Sequence, residues 1–447
     1  MASVAEQLAA NINFGVFSKA TELKKRLWFT LGCLIVYRLG TYIPLPGIDP
    51  EVMAQIFQQQ RGGILGMFNM FAGGALERMS IFALGILPYI SASIILQLMT
   101  AISPTLEALK KGGESGRKKI NQYTRYLTVA LAAFQAWGLA VGLEAMSGPA
   151  GSAVIDPGLF FRLTTVITIV GGTLFLMWLG EQITARGIGN GISLIIFVGI
   201  IAQLPSALAS LLELGRTGAI SPVFIIFFLL LAVGVIAFIV FMERAQRRIL
   251  VQYPKRQQGN RMFGGESSHL PLKLNTSGVI PAIFASSLLL LPATVGGFAG
   301  TGGPDWFVAI SAALGYGQPL HLLLYVAMII FFCFFYTSIV FNPQETAENL
   351  RKNGGFVPGY RPGQRTAEYL DHVLTRLTTV GALYLAAVCV LPEILISQYA
   401  IPFYFGGTSL LIVVSVTMDT VAQIQSHLIA HQYEGLIKKA RLRGRRG

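Results

Sequence analysis

Ten apolar stretches run along the chain, at 24–43, 77–99, 123–143, 160–181, 188–210, 221–242, 276–296, 320–341, 374–392 and 401–425, parted by charged or turn-rich segments. Each is about long enough to cross hydrocarbon as a helix, which takes roughly 20 residues. The pattern predicts an all-α polytopic membrane protein of ten spans. The spans differ in kind. Residues 224–242 and 322–335 are hydrophobic throughout, as lipid-facing or buried helices are. The second, fifth, seventh and tenth mix isoleucine with Ser, Thr, Asn, Gly and Pro, as in ISLIIFVGII, SGVIPAIFASS and FGGTSLLIVV. For any one of them, close helix packing explains the small residues. Four together favour a shared central pathway. Residues 62–76 strengthen that reading, being apolar but too short and too rich in glycine to cross. They predict a re-entrant segment, because irregular backbone at membrane depth has to line a cavity or lie within protein.

Composition fixes the class. The chain is 53% hydrophobic and 12% charged, about half the charged fraction of a soluble protein, with a mean hydropathy of +0.61. Its net charge of +13 is unevenly placed. Of the 34 Lys and Arg, all but Arg38, Arg61, Arg78, Arg162 and Arg216 fall in the N-terminal segment, alternate loops and the tail. By the positive-inside rule those segments, and both termini, face the cytoplasm. The N-terminus lacks the basic and short apolar regions of a cleavable signal. Cys33, Cys333 and Cys389 lie far apart within apolar runs, which predicts buried thiols rather than a metal set.

Two inner loops are too long for connectors. Residues 243–274 contain ILVQY, β-branched and aromatic enough for a strand or hairpin. Residues 342–372 interleave charge with Tyr, Phe, Pro and Gly. Contact with anionic lipid would account for the charge alone. The aromatic and turn residues favour shaped docking surfaces for a cytosolic partner.

Catalytic patterns fail. His427 and His431 in HLIAH lack the glutamate of a zinc protease helix, and no nucleophile–base set is evident, so no enzyme activity and no metal or other cofactor is expected. RGIGNGIS at 186–193 joins two spans without a preceding strand and reads as a tight turn. Acidic residues fall near span ends, and only Arg38 reads as deep. That disfavours an ion-coupled transporter of inverted-repeat type, the alternative reading.

Several long stretches resemble the SecY family of bacterial protein-conducting channels. They include YIPLPGID (42–49), FNMFAGGALERMSIFALGILPYISASIILQL (68–98), MWLGEQITARGIGNGISLIIF (177–197), QRRILVQYPKRQQGNR (246–261), SHLPLKLNTSGVIPAIFASS (268–287) and FNPQETAENLRKNGGFVPGYRPG (341–363). The resemblance implies a cytoplasmic segment 1–23, two pseudo-symmetric halves at 24–210 and 211–425, and a basic tail 426–447. It implies a pore waist of Ile86, Ile90, Ile192, Ile196, Ile283 and Ile412. A plug at 62–76 would include Gly62, Phe68, Asn69 and Phe71, with Gly73 and Gly74 as its hinge. A lateral gate would lie where spans two and three meet spans seven and eight, with Ser91, Gln97, Ser286 and Ser287 at the seam. Arg361, supported by Arg248, Arg256 and Arg261, would dock the ribosome, including its RNA, and the SecA motor. Asn260 departs from the pair of adjacent basic residues of several relatives. SecE and SecG would be the small membrane subunits, with signal peptides and nascent chains as clients and lipid as surroundings.

Overall fold

The computed structural model describes residues 20–59, 69, 71–145, 147–148, 151–218, 221–254, 256–258, 261–263, 267–299, 313, 318–399 and 407–443. Nineteen elements follow one another: α1 (Thr21–Gly40), α2 (Pro50–Gln59), α3 (Leu87–Ile102), α4 (Pro104–Lys111), α5 (Glu114–Ala145), β1 (Ser147–Gly148), β2 (Gly151–Ser152), α6 (Leu159–Arg186), α7 (Gly191–Arg216), α8 (Pro222–Arg244), β3 (Gln246–Gln252), β4 (Arg256–Gln258), β5 (Arg261–Phe263), β6 (Ser267–Lys273), α9 (Ile280–Ala299), α10 (Pro319–Val340), α11 (Pro343–Lys352), α12 (Gln364–Tyr399) and α13 (Gly407–Arg443), among the described residues. A helix stands at each expected span. α5, α6, α7, α8, α10, α12 and α13 are long and apolar enough to cross alone. Local chemistry sets their starts. The Asn190 side chain accepts from the Ile192 amide, and Ser221 does the same for Phe224, which satisfies amides that the helix leaves open.

The second span departs from expectation. It was expected over 77–99, but residues 72–86 run as successive turns and the helix begins at Leu87. Gly73, Gly74, Met79 and Gly85 all have positive φ, which breaks a right-handed helix. The turns are tied to the chain after α1, where Leu45 N donates to Met79 O at 2.8 Å and Ile81 N to Ile43 O at 3.0 Å. At its other end α3 meets α4 at a bend of 100°. Pro104 holds Ser103 extended there.

The helices share one contiguous core. α5 packs against α3, α6 and α9; α7 against α6 and α13; and α10 and α13 flank α12. Ion pairs clamp α5 to α6 at both ends. Arg125 Nη2 lies 2.7 Å from Glu181 Oε2 at one, and Arg162 Nη2 lies 2.6 Å from Glu144 Oε2 at the other. α8 exposes Val223, Phe227, Leu230, Val233 and Phe241, a face suited only to lipid or a membrane partner. Cys33, Cys333 and Cys389 are free and buried, as expected.

The two long loops, expected to be shaped for docking, share one folded body. β3 and β6 pair antiparallel from Gln246↔Lys273 to Gln252↔Ser267, so ILVQY does form a strand. Gln252 then exchanges two backbone hydrogen bonds with Phe356, at 2.9 and 3.0 Å. Ile249, Val251 and Leu272 of the first loop share a small core with Ala347, Val357, Ala367 and Leu370 of the second region. This body, the start of α1, the 187–190 turn and the later part of α13 mark one end of the bundle, here called the basic end.

Candidate functional site

Of the re-entrant segment, Gly62 and Phe68 lie outside the described residues, while Asn69 and Phe71 have helical backbone and are buried. Its root is held from two sides. From α1, Tyr37 Oη donates to Ala72 O at 3.5 Å and Arg38 Nη1 donates to Gly73 O at 2.6 Å. From α7, Gln203 Nε2 donates to Asn69 O at 3.2 Å. Asn69 in turn accepts from the Glu77 amide and donates to its carboxylate. Gly73 and Gly74, at φ +68° and +82°, adopt a left-handed backbone that favours glycine. Arg38, expected to be deep, sits in the last turn of α1, away from the basic end.

The six isoleucines come from four elements, and all belong to or pack against the one hydrophobic core that runs through the bundle. Ile86 caps α3, and Ile90 begins its first full turn, the Ile90 amide donating to Ile86 O at 3.2 Å. Ile192 and Ile196 sit a turn apart on α7, Ile283 on α9 and Ile412 on α13. Ile86, Ile90, Ile196 and Ile412 are buried; Ile192 and Ile283 are partly so. β-Branched side chains are stiff, so these six present fixed aliphatic surface to their neighbours.

The seam expected between spans two and three and spans seven and eight is closed, with α9 packed against both α3 and α5. Ser91, Ser286 and Ser287 are buried. Ser286 donates to Ile283 O at 2.9 Å, and Gln97 donates to Ser93 Oγ at 3.4 Å. Gln97 Oε1, Ser287 Oγ and Gln135 Oε1 of α5 are buried without a hydrogen-bond partner among the described residues. Each such atom costs about 1–3 kcal/mol. Gln135 was not singled out from sequence, because one glutamine in a span has no periodicity to mark it.

At the basic end, Arg248 is exposed on β3 opposite Pro271. Arg256 and Arg261 lie on the paired strands β4 and β5, in register with Phe263 and Gln258. Arg361 is exposed beside a cleft of about 550 Å³ lined by Tyr360, Arg365, Glu368, Tyr369 and His372. Tyr360 stacks on Tyr369 at 4.2 Å. On α4, Lys111 lies 2.7 Å from Glu107, and its hydrogen bond holds that carboxyl below its usual range.

Sequence reasoning also missed a polar brace at the other end. His321 Nε2 lies 3.5 Å from Glu393 Oε1, joining α10 to α12. Tyr325, within a run that reads as purely hydrophobic, hydrogen-bonds Thr408 of α13.

A helical bundle with one shared core and seven helices each long and apolar enough to cross a membrane defines a multi-pass membrane protein. A family model for SecY matches residues 80–421. The chain is 58% identical over 424 residues to protein translocase subunit SecY of Escherichia coli (strain K12), covering 95% of this chain and 96% of that one. It is 59% identical over 426 residues to the same subunit of Pseudomonas aeruginosa, covering 95% of each. Among solved structures it is similar to a protein-conducting channel, with a TM-score of 0.66 at 17% identity over 91% of this chain and 92% of that one. It is also similar to Sec61 of the canine ribosome–channel complex from the endoplasmic reticulum, at 0.63 and 17% over the same shares. At that identity the likeness is one of fold. The chain belongs to the SecY family.

Proposed function

We propose that this chain forms the protein-conducting pore of a bacterial translocase, with unfolded polypeptide passing the isoleucine waist and hydrophobic segments leaving sideways through the α3–α5–α9 seam. Family membership makes it a protein translocase subunit and a multi-pass protein of the bacterial membrane, and the inverted-repeat transporter reading gives way to it. The observation that carries the pore reading is that six isoleucines from four elements belong to or pack against one hydrophobic core. Aliphatic walls offer an extended chain no fixed binding site, so a client of any sequence can slide.

Sorting follows from transfer energies. A segment with ten Leu-like residues gains roughly 3–6 kcal/mol in lipid, and each central charge costs about 2.5–3.5 kcal/mol. An opening seam thus releases apolar segments and retains polar ones. In this reading the basic end faces the cytoplasm with both termini, as the Lys and Arg distribution supports. Its folded body receives the ribosome or the SecA motor, and the exposed face of α8 is free for small subunits such as SecE and SecG. The fold relative from canine endoplasmic reticulum is ribosome-bound, which agrees with that assignment.

Purification in mild detergent tests the assembly. Small single-span proteins are expected to co-purify and added ribosomes to bind the complex. Reconstituted vesicles that neither import a signal-bearing client nor bind ribosomes would overturn the reading.

A further inference from the structure

At the basic end, α10 and α12 part around a cavity of about 310 Å³ that belongs to none of the waist, the seam and the docking face. It lies where two apolar runs stop together, the one at 320–341 and the one at 374–392. That is the depth of lipid headgroups. Phe334, Phe341 and Leu374 give the cavity an apolar wall, and Thr337, Ser338 and Asp371 give it a polar one. It opens outward from the bundle. Phe331, Phe334 and Ser338, three and four residues apart, form an exposed stripe along α10.

Two polar groups in the cavity lack partners. The Asp371 carboxylate makes no ion pair among the described residues. Thr337 is 4% exposed, and its Oγ1 is buried without a hydrogen-bond partner among them. Threonines in helices can bond back to their own carbonyls. The cavity's other two do so, Thr375 donating to Asp371 O at 2.9 Å and Thr378 to Leu374 O at 2.8 Å. Ser338 Oγ donates to Phe335 O at 2.7 Å, which leaves its lone pairs free to accept. A full negative charge thus stands in one cavity with two hydroxyls able to accept.

We propose that this cavity binds the primary ammonium of a membrane aminophospholipid, as in phosphatidylethanolamine, with the acyl chains laid along the exposed stripe of α10. An ammonium brings the compensating charge and three donors, enough for the carboxylate and both hydroxyls. The quaternary headgroup of phosphatidylcholine has the charge but no donor. An anionic headgroup, which the basic end otherwise attracts, meets a like charge at Asp371. The volume is at the small end for a ligand site and suits a headgroup. A soluble amine would match only the polar wall. The apolar wall, continuous with exposed Phe331 and Phe334, selects the lipid.

The experiment places the complete complex in phosphatidylcholine nanodiscs doped with a phosphatidylethanolamine that carries a photoreactive diazirine on its acyl chain. Crosslinks are expected on α10 near Phe331 and Phe334. Unlabelled phosphatidylethanolamine is expected to compete about tenfold better than phosphatidylcholine or phosphatidylglycerol, and Asp371→Asn to lower capture by a similar factor. Thr337→Val is expected to lower it less, and Asp371→Glu, which keeps the charge, to retain most of it. Capture unchanged in Asp371→Asn overturns the proposal. Should that variant fail to insert, the parent complex still decides, because equal competition by the three lipids overturns it too. Glycerophosphoethanolamine competing as well as the lipid would make this a site for soluble amines and not for lipid. Crosslinks found with the isolated chain but lost in the complete complex would show that another subunit covers the cavity. Either result overturns the assignment.

Discussion

Gly73 and Gly199 meet backbone to backbone: a Cβ on Gly73 would lie 2.9 Å from the Gly199 Cα, and one on Gly199 would lie 3.2 Å from the Gly73 Cα. The backbone at Gly73 is thus pressed against α7, with only the Tyr37 hydroxyl nearer, 2.7 Å from that Cβ. Gly73→Ala adds two penalties, the clash and an L residue held at φ +68°, the second about 1–2 kcal/mol. Gly199→Ala adds only the milder contact. Both variants are expected to loosen the root, Gly73→Ala more. Resting ion conductance of reconstituted complexes measures this, and parental conductance in both would contradict the close packing.

Ile86 and Ile412 belong to different elements and are both buried in the common core. Asparagine at either site places an amide where the surroundings offer little hydrogen bonding, at about 1–3 kcal/mol, while an opened, hydrated waist would satisfy it. The closed state is therefore the one that suffers. Ile86→Asn and Ile412→Asn are expected to ease export of clients with weak signal sequences and to raise conductance. Export and conductance unchanged in both would remove these residues from the waist.

Hydropathy made most of the bundle legible in advance, because a span needs length and apolar content and little else. The same measure fails at 72–86, where GGALERMSIFALGI scores like helix although four positive-φ residues hold it in turns. The shared body at the basic end was invisible for another reason. Its core joins Ile249 and Val251 to Leu370, residues far apart along the chain, and only tertiary structure relates them. The seam serines were readable as small polar residues on a span, whereas the lack of a partner for Ser287 Oγ among the described residues could be seen only once the neighbouring helices were in place.

Ser287 Oγ is buried in the closed seam without a partner among the described residues. Replacing an unsatisfied hydroxyl by a methyl-sized group removes a desolvation cost, so Ser287→Ala is expected to stabilise the closed state by roughly 1 kcal/mol. Client segments should then need more hydrophobicity to enter lipid. A graded series of Leu-for-Ala segments in an insertion assay measures that threshold, and a lowered threshold would contradict the sign.

Leu370 is fully buried in the core of the basic-end body. Leu370→Ala is expected to cost about 2–5 kcal/mol locally, while the spans keep their own packing. Because the core draws on both loops, limited proteolysis should open 243–274 and 342–372 together. Cleavage confined to the second loop would show that the two are independent.

Arg361 presents its charge from a firm mount. Its carbonyl accepts from Thr366 Oγ1 at 2.8 Å, and the adjacent Tyr360 is stacked on Tyr369, so the loop does not need to order when a partner arrives. The side chain itself is exposed, and surface substitutions of this kind change stability by about 0.5 kcal/mol or less. Charge reversal at a preorganised contact, by contrast, replaces attraction with repulsion against an acidic partner. Arg361→Glu is therefore expected to leave expression, insertion and melting at parental values while blocking motor-driven export and weakening ribosome binding, the more so at low salt. Parental rates of post-translational export in vesicles carrying Arg361→Glu would remove this residue from the docking surface, whatever the ribosome does.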